Sequence, residues 1–104
     1  MAGGADSFEE ISDNLLHEHP GLERTQMMGM PALKRDGKLV AGFVAAEDAM
    51  VFKLTDAVAH SAALGLDGAH LFDPSGKNRP FKEWVVVPPV HTARWAELAE
   101  LALP

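Results

Sequence analysis

The sequence predicts an α+β domain, an antiparallel sheet of about five strands packed with three helices. Three observations carry this reading. Phe8, Ile11, Leu15 and Leu16 recur at helical spacing, with Glu9, Glu10, Asp13 and Asn14 between them. Two apolar runs flank Asp36-Gly37. That dipeptide signals a type I′ hairpin, because both of its central positions need positive φ. Residues 83–87 form a β-branched run, stopped by Pro88-Pro89. The 104 residues suit one domain. Its order is an N-terminal helix, a strand meander, a helix, a C-terminal hairpin and a last helix, a β-α-β-β plan after the first helix.

Each element has its own signal. Residues 1–5 are small and expected to fray. Ser7 and Glu10 have capping-box spacing, so the first helix is placed at 7–18, ended by Pro20-Gly21. A strand is expected at 25–28, and the flanks of Asp36-Gly37 give strands at 32–35 and 38–45. A turn at 46–48 leads to a strand at 49–53. Thr55 or Asp56 caps a helix that reaches residue 64, with Gly65 after it and Leu54, Val58 and Ala62 as its inward stripe. Residues 69–72 and 83–87 form the C-terminal hairpin around an Asp73-Pro74-Ser75-Gly76 turn. The last helix covers 91–101, with Trp95, Leu98, Ala99 and Ala102 on one face.

One strand is apolar on both sides. Simple alternation over 38–45 puts Leu39, Ala41, Phe43 and Ala45 on one face and Val40, Gly42 and Val44 on the other. Val51-Phe52 and Trp84-Val85 repeat the pattern. A sheet with one wet face alternates apolar and polar residues, so both faces need cover. Either the three helices cover both, or a second copy of the chain covers one. The second case makes Val40, Val44 and Val51 interface candidates and a homodimer the expected assembly.

Composition excludes several functions. There is no cysteine, hence no disulfide, thiolate metal site or thiol nucleophile. No apolar run approaches the ~20 residues of a membrane span, and the N-terminus lacks a signal-peptide pattern. The chain is read as soluble and cytoplasmic, without membrane contact. The net charge is −6, concentrated before residue 31, where six acids face one base. Such a balance disfavours nucleic acid as a partner, because that affinity comes from basic charge.

Candidate chemistry is sparse. His17-Glu18-His19 places two histidines on different sides of a helix end, where the helix dipole alone favours them. No spacing among His60, His70 and His91 makes a ligand set, so no metal and no cofactor is expected. His60-Ser61 lacks a nucleophile elbow. Ser75-Gly76-Lys77 lacks the remainder of a phosphate loop, with Leu71 and Asn78 where glycine and a hydroxyl are needed. Two basic turns stand out, Lys34, Arg35 and Lys38 around the first and Lys77, Arg79 and Lys82 around the second. Together they would face an anion, while separately they resemble the lysines that keep sheet edges soluble. Lys53, Arg79 or a histidine is the polar contact expected of a pocket between sheet and helices. Met27, Met28, Met30 and Met50 form a soft apolar set, and Trp84 suits a core or an interface rim.

These residues combine into a family pattern. Met28-Gly29 enters a strand, followed by LKRDGKLVAGFV and a strand ending in Lys53. After a helix comes LFDPSGKNRPFKEWVVVP, then a last helix with Trp95 and Leu98. The pattern, over residues 8–103, resembles the N-terminal domain of the TfoX competence regulators and their standalone relatives, and more distantly the MmcQ/YjbR group. The resemblance implies an α+β domain and a regulatory role, and it supplies no catalytic residue. The full competence regulators carry a further C-terminal helical domain, whereas this sequence ends at Pro104. Trp84 stands where the family usually has tyrosine.

The expectation is a non-enzymatic module acting through protein contacts. The alternatives are a nucleic-acid-associated regulator, or a small-ligand protein or enzyme with a sheet–helix pocket.

Overall fold

The N-terminal helix begins earlier than its apolar spacing predicts. In the computed structural model, which describes residues 3–103, helix α1 spans Gly4–Glu18. Gly4 and Ala5 are therefore helical rather than frayed, while Met1 and Ala2 lie outside the described residues. The cause is tertiary. The first-turn N–H of Gly4 donates to Asp48 Oδ2 at 3.4 Å, and a Cβ on Gly4 would collide with Asp48. A distant carboxylate thus satisfies an orphan donor of the helix in place of the expected capping box.

Four strands follow: β1 (Leu22–Met27), β2 (Met30–Arg35), β3 (Lys38–Val44) and β4 (Ala49–Lys53). Helix α2 (Ala57–Leu64), β5 (His70–Phe72), β6 (Phe81–Val87) and α3 (Thr92–Ala102) complete the chain. All pairings are antiparallel, in the order β1-β2-β3-β4-β6-β5. The meander and the hairpin thus merge into one six-stranded α+β sheet, one strand above the expected number, with β1 and β5 at its edges. Asp36 (φ 53°) and Gly37 (φ 78°) make the predicted turn. Met28 (φ 50°) and Gly29 (φ 79°) repeat it between β1 and β2, where the sequence reading placed no hairpin.

All three helices lie on one face of the sheet. Phe8, Leu15, Ala59, Ala63, Trp95, Leu98 and Ala99 pack there with Leu33, Phe43, Met50, Phe52, Val85 and Val87. Trp95 is fully buried, and its Nε1–H donates to Val87 O at 3.2 Å. The inward stripe of α2 is Ala59 and Ala63, not Val58 and Ala62; Val58 is 78% exposed. Leu54 is buried but precedes the Asp56 cap, so it does not set the phase of the helix.

The other face holds a second apolar cluster with no helical member: Met27, Ala32, Val44, Ala49, Val51, Phe72 and Val86. Met30, Leu39 and Trp84 pack around it. The three helices do not cover it. The face is kept dry by its own larger side chains. Gly42 shows how. A Cβ there would lie 3.4 Å from Met27 Cε and 3.2 Å from Pro31 O, so the missing side chain is the space that Met27 occupies.

Strand β3 does not alternate simply. Leu33 pairs with Ala41 but Lys34 pairs with Leu39, leaving Val40 as the extra residue of a bulge. The bulge turns Val40 to the helix side beside Ala41, and Leu39 to the helix-free side. Val40, Val44 and Val51 are 4%, 7% and 0% exposed in the single chain, and of the three only Val44 lines a groove on the helix-free face.

Candidate functional site

The helix-free face has two chemically different ends. At the end carrying the β1–β2 and β3–β4 turns, a groove of about 450 Å3 opens between Met28, Met30, Val44 and Phe72. Met28 is 57% exposed, because a hairpin position with positive φ projects it from the turn. The polar wall of the groove is Asp73 together with His70 and Glu47, with His70 Nε2 2.9 Å from Glu47 Oε1 and His70 Nδ1 3.2 Å from Gly68 O. Of the methionines named from sequence, Met28 and Met30 reach this groove. Met27 is buried beneath the same face, and Met50 lies in the helix-side core.

Antiparallel pairing collects the predicted basic residues at the opposite end. The β2–β3 turn, the end of β4 and the start of β6 lie there, while the β5–β6 connection sets out from the groove, which Asp73 and Pro74 also line. Lys53 and Trp84 are register partners, so their side chains stand side by side on the helix-free face. Lys34 is on that face too, 3.7 Å from Glu23 on β1. Arg35 and Lys38 flank the Asp36-Gly37 turn as register partners. A smaller cleft of about 220 Å3 opens between this end of the sheet and α3, lined by Lys38, Leu39, Val40, Lys53, Thr55 and Ala102, so Lys53 reaches a sheet–helix pocket that Arg79 does not line. Lys77, Arg79 and Lys82 are exposed around the second turn.

That second turn is organised by Asp73. Its Oδ1 accepts from the Ser75 hydroxyl at 2.7 Å, and its Oδ2 accepts from Arg79 N–H at 3.1 Å. The Ser75 hydroxyl holds the Asp73 carboxyl below the usual carboxylate range, opposed by desolvation and helped by the backbone N–H groups of Arg79, Gly76 and Asn78. Ser75 Oγ in turn accepts from Lys77 N–H at 3.1 Å. Ser75-Gly76-Lys77 is therefore a self-satisfied turn, not a phosphate loop.

The histidines are structural ties. His60 Nε2 meets Lys82 O at 2.7 Å, and His91 Nε2 meets Asp67 O at 2.8 Å. His19 Nε2 lies 3.0 Å from Glu100 Oε2, joining the ends of α1 and α3. Glu18, His19 and Glu100 bring one donor atom each within 4.8 Å of one another, a grouping that the His17-Glu18-His19 spacing did not reveal. Among the described residues no serine or threonine hydroxyl contacts a histidine, so no nucleophile–base pair is assembled.

No family model, no curated protein and no solved structure matches this chain. Among the described residues no helix is long and apolar enough to cross a membrane.

Proposed function

We propose that this chain is a non-catalytic cytoplasmic regulator that acts by binding protein, with the Met28–Met30 groove as its contact surface. The observation that carries this reading is the exposed Met28 beside a half-buried Met30 on a sheet face that no helix covers. Flexible thioethers adapt to a partner's shape, and exposed apolar side chains around a groove gain most from being covered. The sequence pattern shared with the TfoX N-terminal family is part of the same proposal, since it is the source of the regulatory reading.

The partner in this proposal is a second copy of the chain, paired groove to groove. Light scattering on the full chain at micromolar concentration tests it. The expected mass is twice the 11.2 kDa of the chain, falling to a single copy when Met28 is replaced by glutamate. A single-copy mass for the unaltered chain refutes self-pairing.

A further inference from the structure

We propose that the basic end of the helix-free face binds single-stranded nucleic acid, with Trp84 and Phe81 stacking on bases and Lys53, Arg79 and Lys82 holding phosphates. The first argument is how the charges are distributed. Nine cationic side chains serve the chain, and three of them, Arg24, Lys34 and Arg94, have a carboxylate within 4.0 Å. The other six are Arg35, Lys38, Lys53, Lys77, Arg79 and Lys82. Among the described residues none of these six has a carboxylate partner; Arg35, Lys38, Lys53 and Lys82 lie at one end of the sheet, and Lys77 and Arg79 lie on the connection that leads into β6 there. This occurs in a chain with fifteen acids.

The acids are placed elsewhere or already engaged. Asp6, Glu9, Glu10, Asp13 and Glu18 lie on α1, with Glu97 and Glu100 on α3, in the layer behind the sheet. At the basic end Asp56 accepts from Ala59 N–H, while Asp73, which lines the groove, holds the β5–β6 turn together. Asp36 and Glu83 remain there as free carboxylates. The net charge of −6 therefore describes the helix layer, and it misdescribes this end.

The second argument is the aromatic groups between the cations. Phe81 is 40% exposed between Arg79 and Lys82 and meets Phe72 edge-on at 5.9 Å. Trp84 is half-buried beside Lys53. Lys34, Leu39, Lys53 and Trp84 cross the face on β2, β3, β4 and β6, a span of about 14 Å at the usual strand spacing. Flat rings set among cations on an open sheet are what an unpaired strand needs, because its bases are free to stack. Duplex DNA is not favoured, since reading its major groove takes an inserted helix or β-ribbon and all three helices lie on the far face.

The test is fluorescence anisotropy of a labelled single strand of about 15 nucleotides, titrated with the full chain. Binding is expected at 50 mM salt and weaker by about 50-fold at 200 mM, the slope for roughly four phosphate contacts on a single strand. Tryptophan fluorescence is a second readout, since Trp84 is reachable and Trp95 is fully buried. Quenching on binding should vanish in Trp84→Phe, whose fold is checked by its melting temperature. The pair Lys53→Glu and Lys82→Glu should reduce affinity at least tenfold, while Arg94→Glu, an equal charge reversal on α3 behind the sheet, leaves it unchanged. No binding at 50 mM salt overturns the proposal. So does binding that survives both charge reversals, or binding of heparin and the oligonucleotide alike without Trp84 quenching, which would mark a simple polyanion surface.

Discussion

Ser12→Ala should make this protein more stable, the reverse of what most substitutions in a packed layer do. Ser12 lies in α1 between Phe8 and Leu15, is 0% exposed, and its Oγ has no hydrogen-bond partner. An unsatisfied buried hydroxyl costs about 1–3 kcal/mol of desolvation. Alanine removes that cost and adds about 0.5 kcal/mol of helix propensity. It deletes only one oxygen, so the cavity left is smaller than a methyl group. The gain is then about 1.5–3.5 kcal/mol, which for a domain near 100 residues raises Tm by about 6 °C or more. Thermal melting followed by far-UV circular dichroism measures it, with denaturant midpoints as an independent check. A lower Tm for Ser12→Ala would refute the reasoning, since it would mean that the hydroxyl is satisfied within the folded protein.

Gly42→Val should cost about 1–3 kcal/mol by overpacking against Pro31 O and Met27, and Met27→Ala in the same chain should recover part of the loss in a denaturant double-mutant cycle. Acid should loosen the 73–79 turn. The Asp73 carboxyl is held low in the folded chain, so its contribution is whole above the ordinary carboxylate pKa and is lost as pH falls through the lowered folded value. Amide resonances of Lys77 and Arg79 should report that transition, and Asp73→Asn should show the loosened spectrum at neutral pH. Arg24→Ala removes pairs with Glu9 (3.0 Å) and Asp13 on an exposed surface, so the loss should be no more than about 1 kcal/mol and should shrink in 1 M salt.

The elements most readable from sequence are those whose signal is local. Asp36-Gly37 states its own turn, Asp56 caps α2, and Trp95, Leu98 and Ala99 fall on the face of α3 that faces the core. Elements set by distant contacts were harder to read. The start of α1 depends on Asp48, which no N-terminal pattern contains. Strand β1 begins at Leu22, earlier than expected, because Glu23 and Arg24 are polar on both faces and show no apolar alternation. The bulge at Val40 carries no sequence mark, since valine, alanine and leucine are equally at home on either face. Met28-Gly29 did carry a mark, its glycine, but methionine is an unusual residue at positive φ. The two basic turns were each visible, but that Lys82 and Trp84 come to stand beside Lys53 was not, because it follows from β6 inserting between β4 and β5.

The two margins of this sheet are unequal. β5 is three residues long, and its register to β6 breaks between Leu71 and Phe72, so it makes a poor template for a foreign strand. β1 presents a straight run of six residues whose outer amides and carbonyls have no neighbour within the sheet. Lateral growth, whether by a bound peptide or by unwanted stacking of copies, therefore has a single entrance, along Leu22–Met27. The charged pair Glu23-Arg24 at its head is what guards that entrance.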